Sequence, residues 1–476
     1  MNRREFNKLF LSAFAASAGG LLLPAASHNL FADVPQTDRR LVNVMLEGGA
    51  DFRFVFVPAP DYDPTYVEQF WSARAALYAA GDYADYASMY DSEYITVTDS
   101  ESGFSFGIHK SCDWLAQQFT IGNVAIISNV VGSKNRRHDH SQLIVNAGDV
   151  TTGRIDTERD GWGGRLAETI SGQSNVAALT EAVSLFCSGT NSAARLEHVF
   201  HAINLRDMSL PQVNQGEDIA SNRNALIRSL AAYYHARGIE IESEKTAGWP
   251  YRQFFKHHSF LDTFGGDIED ALSLAPLPAL LQNLNLNNDK FTQQCQNLYD
   301  SFFISDKVNS RVFSFDYRDW DHHAALEEKI TLNLTDVFSL SGGLAAVMSE
   351  MASNIPTAFQ GTVYLFGSDF GRQLAANGSS GTDHGTASYS IIIGPAVNGG
   401  IRGDMFPLAE ALPDLSDGAG RTPFEIPGTD IVGETSLERV LAKVCDWVSP
   451  GSGELVCPNA ASGPLEAGVD LNSLFG

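Results

Sequence analysis

Short apolar runs that end in glycine, aspartate or histidine recur along the chain. Residues 41–46 (LVNVML) run into Glu47-Gly48-Gly49-Ala50-Asp51, 124–132 (VAIISNVVG) into a basic stretch, 311–317 into Asp319-Trp320-Asp321-His322-His323, and 362–367 into Ser368-Asp369-Phe370-Gly371. A fifth run, 389–394 (YSIIIG), follows Gly381-Thr382-Asp383-His384-Gly385. Runs this short and this apolar predict strands buried on both faces. Helix-like stretches at 114–119, 222–237 and 332–351 lie between them. The alternation predicts an α/β fold with a doubly wound, mostly parallel sheet and helices on both faces. Residues from about 216 to 303 are helical in pattern and poor in strand signals, which predicts a helical insertion, and 451–468 reads as a loose tail.

The N-terminus sharpens this picture. Arg3-Arg4-Glu5-Phe6-Asn7-Lys8, followed by the uncharged stretch 9–26, reads as a twin-arginine export signal over residues 1–32. Small residues at Ala16 to Gly20 and cleavage candidates at Ala25, Ala26 and Ala32 favour its removal over a retained membrane anchor. The expected location is therefore periplasmic or secreted, with the twin-arginine machinery as a partner and no stable membrane anchor afterwards. Residues 33–476 are expected to form one large domain with insertions, and 44% hydrophobic and 19% charged residues suit a packed, globular core. A net charge of −25 argues against nucleic acid or anionic membranes as partners. Five cysteines without a CxxC pair argue against a zinc ribbon. Cys445 and Cys457 read equally as a disulfide that fastens the tail or as separate buried thiols.

Candidate chemistry gathers at the ends of the apolar runs. Parallel strands deliver their C-terminal ends to one crevice, so Asp51, Asp321, His323, Asp369 and His384 can converge there on a divalent cation: zinc, calcium, magnesium or manganese. Asp321 and His323 stand two apart, on one side of an extended backbone. Asp383 reads as a further ligand, a partner orienting an imidazole, or a turn residue. Lys134, Arg136, Arg137, His138 and His140 form a basic knot in an acidic protein, which reads either as a receptor for an anionic group or as a solvated loop.

In their order, GGAD (48–51), DGWGGRL (160–166), WDHH (320–323), SDFGR (368–372), GTDHG (381–385) and GGIRGD (399–404) resemble an exported bacterial family, domain of unknown function 1501, of the alkaline phosphatase and sulfatase superfamily. The resemblance covers nearly the whole mature chain. It implies an alkaline-phosphatase-like α/β domain acting on a phosphate or sulfate ester of a small molecule or glycan. It further implies one cation held by Asp51 and Asp369 and another by Asp321, His323 and His384, with Arg372, Arg136 and Arg137 on the non-bridging oxygens.

Two positions depart from the superfamily pattern. Phe370 stands where an Asp-His pair would supply an imidazole, and Arg137 stands where the family often has serine. Ser133 and Ser141 are the remaining nucleophile candidates, His138 or His140 could replace the lost ligand, and water is the other attacking group. These departures motivate a second reading: a catalytically degenerate exported binding or scaffold protein that keeps the fold. A serine hydrolase is disfavoured for want of a GxSxG elbow, and a dinucleotide enzyme for want of GxGxxG.

Overall fold

The apolar runs become the central strands of a nine-stranded sheet in the computed structural model, which describes residues 34–156, 159–170, 175–178, 186, 199–201, 205–207, 266–413 and 418–476. The export-signal reading of 1–32 and the helix expected over 222–237 lie outside the described residues. In chain order the strands are β1 (Arg40–Leu46), β2 (Phe56–Pro58), β3 (Tyr94–Thr98), β4 (Ser105–His109), β5 (Val124–Val131), β6 (Asn175–Ala178), β7 (Val199–His201), β8 (Ser310–Tyr317), β9 (Thr362–Ser368), β10 (Gly371–Arg372), β11 (His384–Gly385), β12 (Ala387–Ile393), β13 (Gly400–Arg402) and β14 (Thr435–Ser436). The main sheet runs β13-β5-β12-β9-β1-β8-β6-β7, with β14 also beside β5. Only the pairings of β12 with β5 and with β9 are antiparallel, so the sheet is mixed and mostly parallel. β2, β4 and β3 form a small antiparallel sheet, and β10 pairs with β11.

Period-two alternation divides the core between the two faces of the sheet. Val42, Val44, Phe313, Phe315, Tyr364, Phe366, Ile391 and Ile393 face one apolar cluster, while Leu41, Met45, Val312, Val363, Leu365 and Ile392 face the other. Both faces are covered by helices, which explains why these strands read as continuous apolar runs. On the first face lie Asp113–Thr120, Asp289–Phe303, Leu326–Phe338 and Gly343–Asn354; on the second, His138–Ala147, Trp162–Thr169 and Leu437–Val448.

Register brings the strand ends together. Leu46 of β1 pairs with Tyr317 of β8 on one side and Ser368 of β9 on the other, all running in parallel. β12 runs the opposite way and pairs Ala387 with Val131 at the end of β5, so the segment before β12 reaches the same edge. The residues that follow β1, β5, β8 and β9, and those that precede β12, therefore line one rim.

Several elements differ from the sequence expectation. The single helical stretch over 332–351 is two helices, because the chain breaks at Ser339-Leu340-Ser341-Gly342 and restarts with Gly342 as an N-cap, where a Cβ would lie 2.9 Å from the carbonyl oxygens of Thr335, Asp336 and Ser339. Within the described part of the expected insertion, Asp289–Phe303 packs directly on the sheet, with Phe291 5.1 Å from Phe315 and 4.7 Å from Tyr317. The stretch read as a loose tail is packed: Val456, Cys457 and Ala460 are buried, and Arg439 donates to the carbonyls of Ala461 and Gly463. Cys445 and Cys457 are free thiols, both buried.

Gly48 is a close approach at the rim. Its φ is +122°, and a Cβ there would lie 2.5 Å from Asp321 N and 2.8 Å from Trp320 C, so two strand ends meet only because this residue has no side chain. Gly48→Ala is expected to lower stability by more than ~2 kcal/mol, read as a shifted urea midpoint with an unchanged slope. A midpoint within error of wild type would show that the turn is loose.

Candidate metal centre

The loop after β8 carries Asp321 to the rim, where three imidazoles surround its carboxylate. His384 Nε2 lies 2.9 Å from Asp321 Oδ1, His323 Nε2 3.1 Å from the same oxygen, and His138 Nε2 3.4 Å from Oδ2. His138 is the first residue of the His138–Ala147 helix after β5, and His384 lies in β11, paired opposite Arg372. One ligand atom each from His138, Asp321 and His384 falls within 4.8 Å of the others.

Each imidazole is held by its other nitrogen. His384 Nδ1 lies 2.8 Å from the carbonyl of Arg136, and a carbonyl only accepts, so Nδ1 carries the hydrogen. His138 Nδ1 donates to Asp369 Oδ2 at 2.7 Å, and His323 Nδ1 donates to Asp383 Oδ1 at 2.9 Å. The outer partners are fixed in turn: Asp369 Oδ1 accepts from Gly48 N at 3.0 Å, and Asp383 accepts from Asn377 Nδ2 at 3.0 Å. In their neutral forms all three rings therefore aim an Nε2 lone pair inward. His323 Nε2 and His384 Nε2 are only 2.9 Å apart, and His138 Nε2 is buried without a hydrogen-bond partner. Lone pairs that converge on one another and on a carboxylate need a proton or a cation between them.

The charges around the cluster have identifiable effects. His138 is raised above the usual histidine value first by its hydrogen bond to Asp369, against the opposing effect of burial. Burial acts to raise Asp321, but with a proton on His384 Nε2 its hydrogen bond, together with that from Arg372, more than offsets burial and holds the carboxyl well below the usual carboxylate range. His322 faces the other way: it is buried, its Nδ1 lacks a partner, and desolvation pulls it down to about 4. Phe370 closes one side, with its ring 4.7 Å from His138 and 4.4 Å from His384.

Other residues singled out in the sequence do not join the three imidazoles around the Asp321 carboxylate, although Arg372 touches that carboxylate from behind. Asp51 is buried, with Oδ2 accepting from Arg74 at 2.7 Å and from Thr382 at 3.0 Å, while Oδ1 caps the Phe52–Val55 turn through Phe54 N. Arg372 is buried and donates to the carbonyls of Gly48, Gly49, Trp320 and Thr382 as well as to Asp321. Arg136 forks onto Asp430, with both contacts at 2.7 Å, and Arg137 pairs with Asp139. Ser133 and Ser141 are fully buried and turned to the Asn135 backbone. Among the described residues, no Ser, Thr or Cys side chain is hydrogen bonded to Asp321 or to the three imidazoles.

Residues 285–413 match the family described as Protein of unknown function (DUF1501). The matched segment holds Asp321, His323, Asp369, Arg372, Asp383 and His384, while His138 enters from before it. No curated protein matches the chain. Sequence reasoning missed Asp369 as the partner of an imidazole and Arg74 as the counter-charge to Asp51. Neither pairing has a local signature, since the partners are 231 and 23 residues apart.

Two outcomes are expected. Asp51→Ala leaves Arg74 charged and unpaired in the core, and is expected to cost about 3–5 kcal/mol in denaturant unfolding; a change below ~1 kcal/mol would mean the pair is hydrated. In cation-free protein, Asp369→Asn is expected to lower the His138 pKa, followed by imidazole NMR. The His138 value is raised in the folded state, so the stability it contributes is fully present below about 6.5, its unfolded value, and is lost as pH rises through the folded value.

Proposed function

We propose that the protein is an exported metal-dependent hydrolase of phosphate or sulfate esters, of the alkaline phosphatase and sulfatase type, acting on a small-molecule or glycan ester. The observation that carries this reading is the inward convergence of Nε2 from His138, His323 and His384 on the Asp321 carboxylate, with each Nδ1 tied to an outer acceptor. Metal-ligating histidines are held in this manner. The donor set fits one divalent cation, and its imidazole majority favours zinc over calcium or magnesium. When bound, such an ion supplies Lewis-acid polarisation of an ester oxygen and acidifies water.

The chain's own groups then divide the work. His138, Asp321 and His384 hold the ion, Asp369 and Asp383 orient imidazoles, and Phe370 keeps water from one side of the cluster. With both serines buried against Asn135, water is the attacking group this site favours. Lys134 is exposed, four residues before His138 in the chain, and is the basic-knot residue best able to meet an anionic oxygen, since Arg136 and Arg137 are already paired. The twin-arginine sequence at the N-terminus supports the periplasmic or secreted location.

A second reading is favoured by the paired arginines and the missing hydroxyl: a catalytically degenerate binding or scaffold protein that keeps the fold, with or without a structural cation. Hydrolysis separates the two. Purified mature protein is expected to hold about one zinc per chain by elemental analysis, with affinity falling at least about a hundredfold in His384→Ala and staying near wild type in folded Asp51→Asn. Zinc-loaded protein that turns over no phosphate or sulfate mono- or diester across a broad panel would leave the scaffold reading, and the absence of any bound metal would remove the hydrolase reading and leave a scaffold that keeps only the fold.

A further inference from the structure

β5 ends at Val131 and the next helix starts at His138, so residues 132–137 connect a central strand to an imidazole of the cluster. Lys134, Arg136 and Arg137 are exposed cations within this connection, and like charges so close together favour a spread-out loop. Asn135 stands among them and is half-buried, with each of its polar groups engaged. A backbone N–H only donates, so the side-chain atom 3.2 Å from Arg137 N is Oδ1, and Nδ2 is left to donate to His140 Nδ1 at 3.0 Å. The first contact closes an Asx turn, and the second reaches into the first turn of the helix. The Asn135 carbonyl accepts from Ser133 Oγ at 3.3 Å before the turn and from Ser141 Oγ after it. Ser133 Oγ in turn accepts from Asn135 N at 3.0 Å. The start of the connection is tied down as well, since Ser133 N donates to the Asp369 carbonyl and Gly132 N to that of Thr386.

Two groups of the cluster take their places from this turn. The Arg136 carbonyl, directly after Asn135, accepts from His384 Nδ1 at 2.8 Å and so keeps His384 Nε2 aimed inward. His138 stands directly after Arg137, which occupies the N-cap position but supplies no side-chain cap. The grip of Asn135 Oδ1 on Arg137 N therefore does the work of fixing where the helix, and with it His138, begins. This arrangement also gives Ser133 and Ser141 a role other than attack: both hydroxyls hold the Asn135 carbonyl.

We propose that Asn135 is the positioning residue of the candidate metal centre, closing the turn that sets both the Arg136 carbonyl against His384 and His138 at the head of its helix. The inference rests on the cation reading above and adds to it the residue that readies two of the three ligands.

The test combines zinc-binding calorimetry with NMR of imidazole N–H groups in nitrogen-labelled protein. Asn135→Ala is expected to lower zinc affinity at least about tenfold. Asn135→Asp, whose carboxylate oxygen can accept the same Arg137 N–H, is expected to recover at least about a third of the wild-type affinity. In cation-free protein, the His384 Nδ1–H of Asn135→Ala is expected to exchange with solvent at least about tenfold faster than in wild type. The His323 Nδ1–H, held by Asp383 outside this turn, is expected to stay unchanged, which general loosening of the fold would not allow. Ser141→Ala is the second variant should Asn135→Ala not fold, and is expected to shift affinity and His384 exchange in the same directions by about threefold. Zinc affinity and His384 exchange at wild-type values in the folded variant overturn the proposal, as does a loss of affinity without faster His384 exchange. Failure of wild type to bind zinc defeats the cation reading, whereas unchanged exchange in cation-free protein defeats the role of Asn135 alone.

Discussion

The guanidinium of Arg372 is buried where four chain segments meet, and it holds them in register. It donates to Gly49 O at 2.6 Å, Thr382 O at 2.8 Å, Trp320 O at 3.1 Å and Asp321 Oδ1 at 2.7 Å, and also to Gly48 O. Those acceptors belong to the loop after β1, the loop after β8 and the segment leading into β11, while Arg372 itself follows β9. A buried charge is costly unless its donors are satisfied. Here every guanidinium nitrogen has an acceptor, and the positive charge cannot be lost by deprotonation. The rim is therefore tied together by one permanently charged group.

That tie sets the chemistry beside it. Arg372 fixes Asp321 and keeps its carboxyl ionised, which gives the imidazoles a fixed anion to surround. Gly48 allows the strand ends to approach, and its N–H holds Asp369, which in turn holds His138. Gly381 plays a similar part opposite, because a Cβ there would fall 2.2 Å from His323 C. The cluster is thus preorganised through its backbone and outer hydrogen bonds, as a cation site must be if its ligands are to be ready before the ion arrives.

Much of the sheet was legible in the sequence because β1, β5, β8, β9 and β12 are central strands whose burial on both faces leaves long apolar runs. β6 and β7 were missed, being short and without such a run. Asp321 and His323 were legible as residues at a strand exit, whereas His384 stands at the entry of antiparallel β12 and reaches the same rim from the other direction. Their roles were less so: Asp51 sits at a strand exit too, yet the chain turns it inward to Arg74, a residue on the Pro64–Arg74 helix with no local signal. The family resemblance made Arg372 an oxyanion receptor, but its guanidinium is engaged by backbone carbonyls and Asp321. Long-range pairings of this kind carry no periodicity for a single sequence to reveal.

We propose that His138, Asp321 and His384 bind one cation. Anomalous diffraction from crystals grown with zinc tests it most directly. One strong peak is expected about 2.0–2.2 Å from His138 Nε2, His384 Nε2 and an Asp321 oxygen. No peak there at saturating zinc, or a principal peak at Asp51 instead, would contradict it.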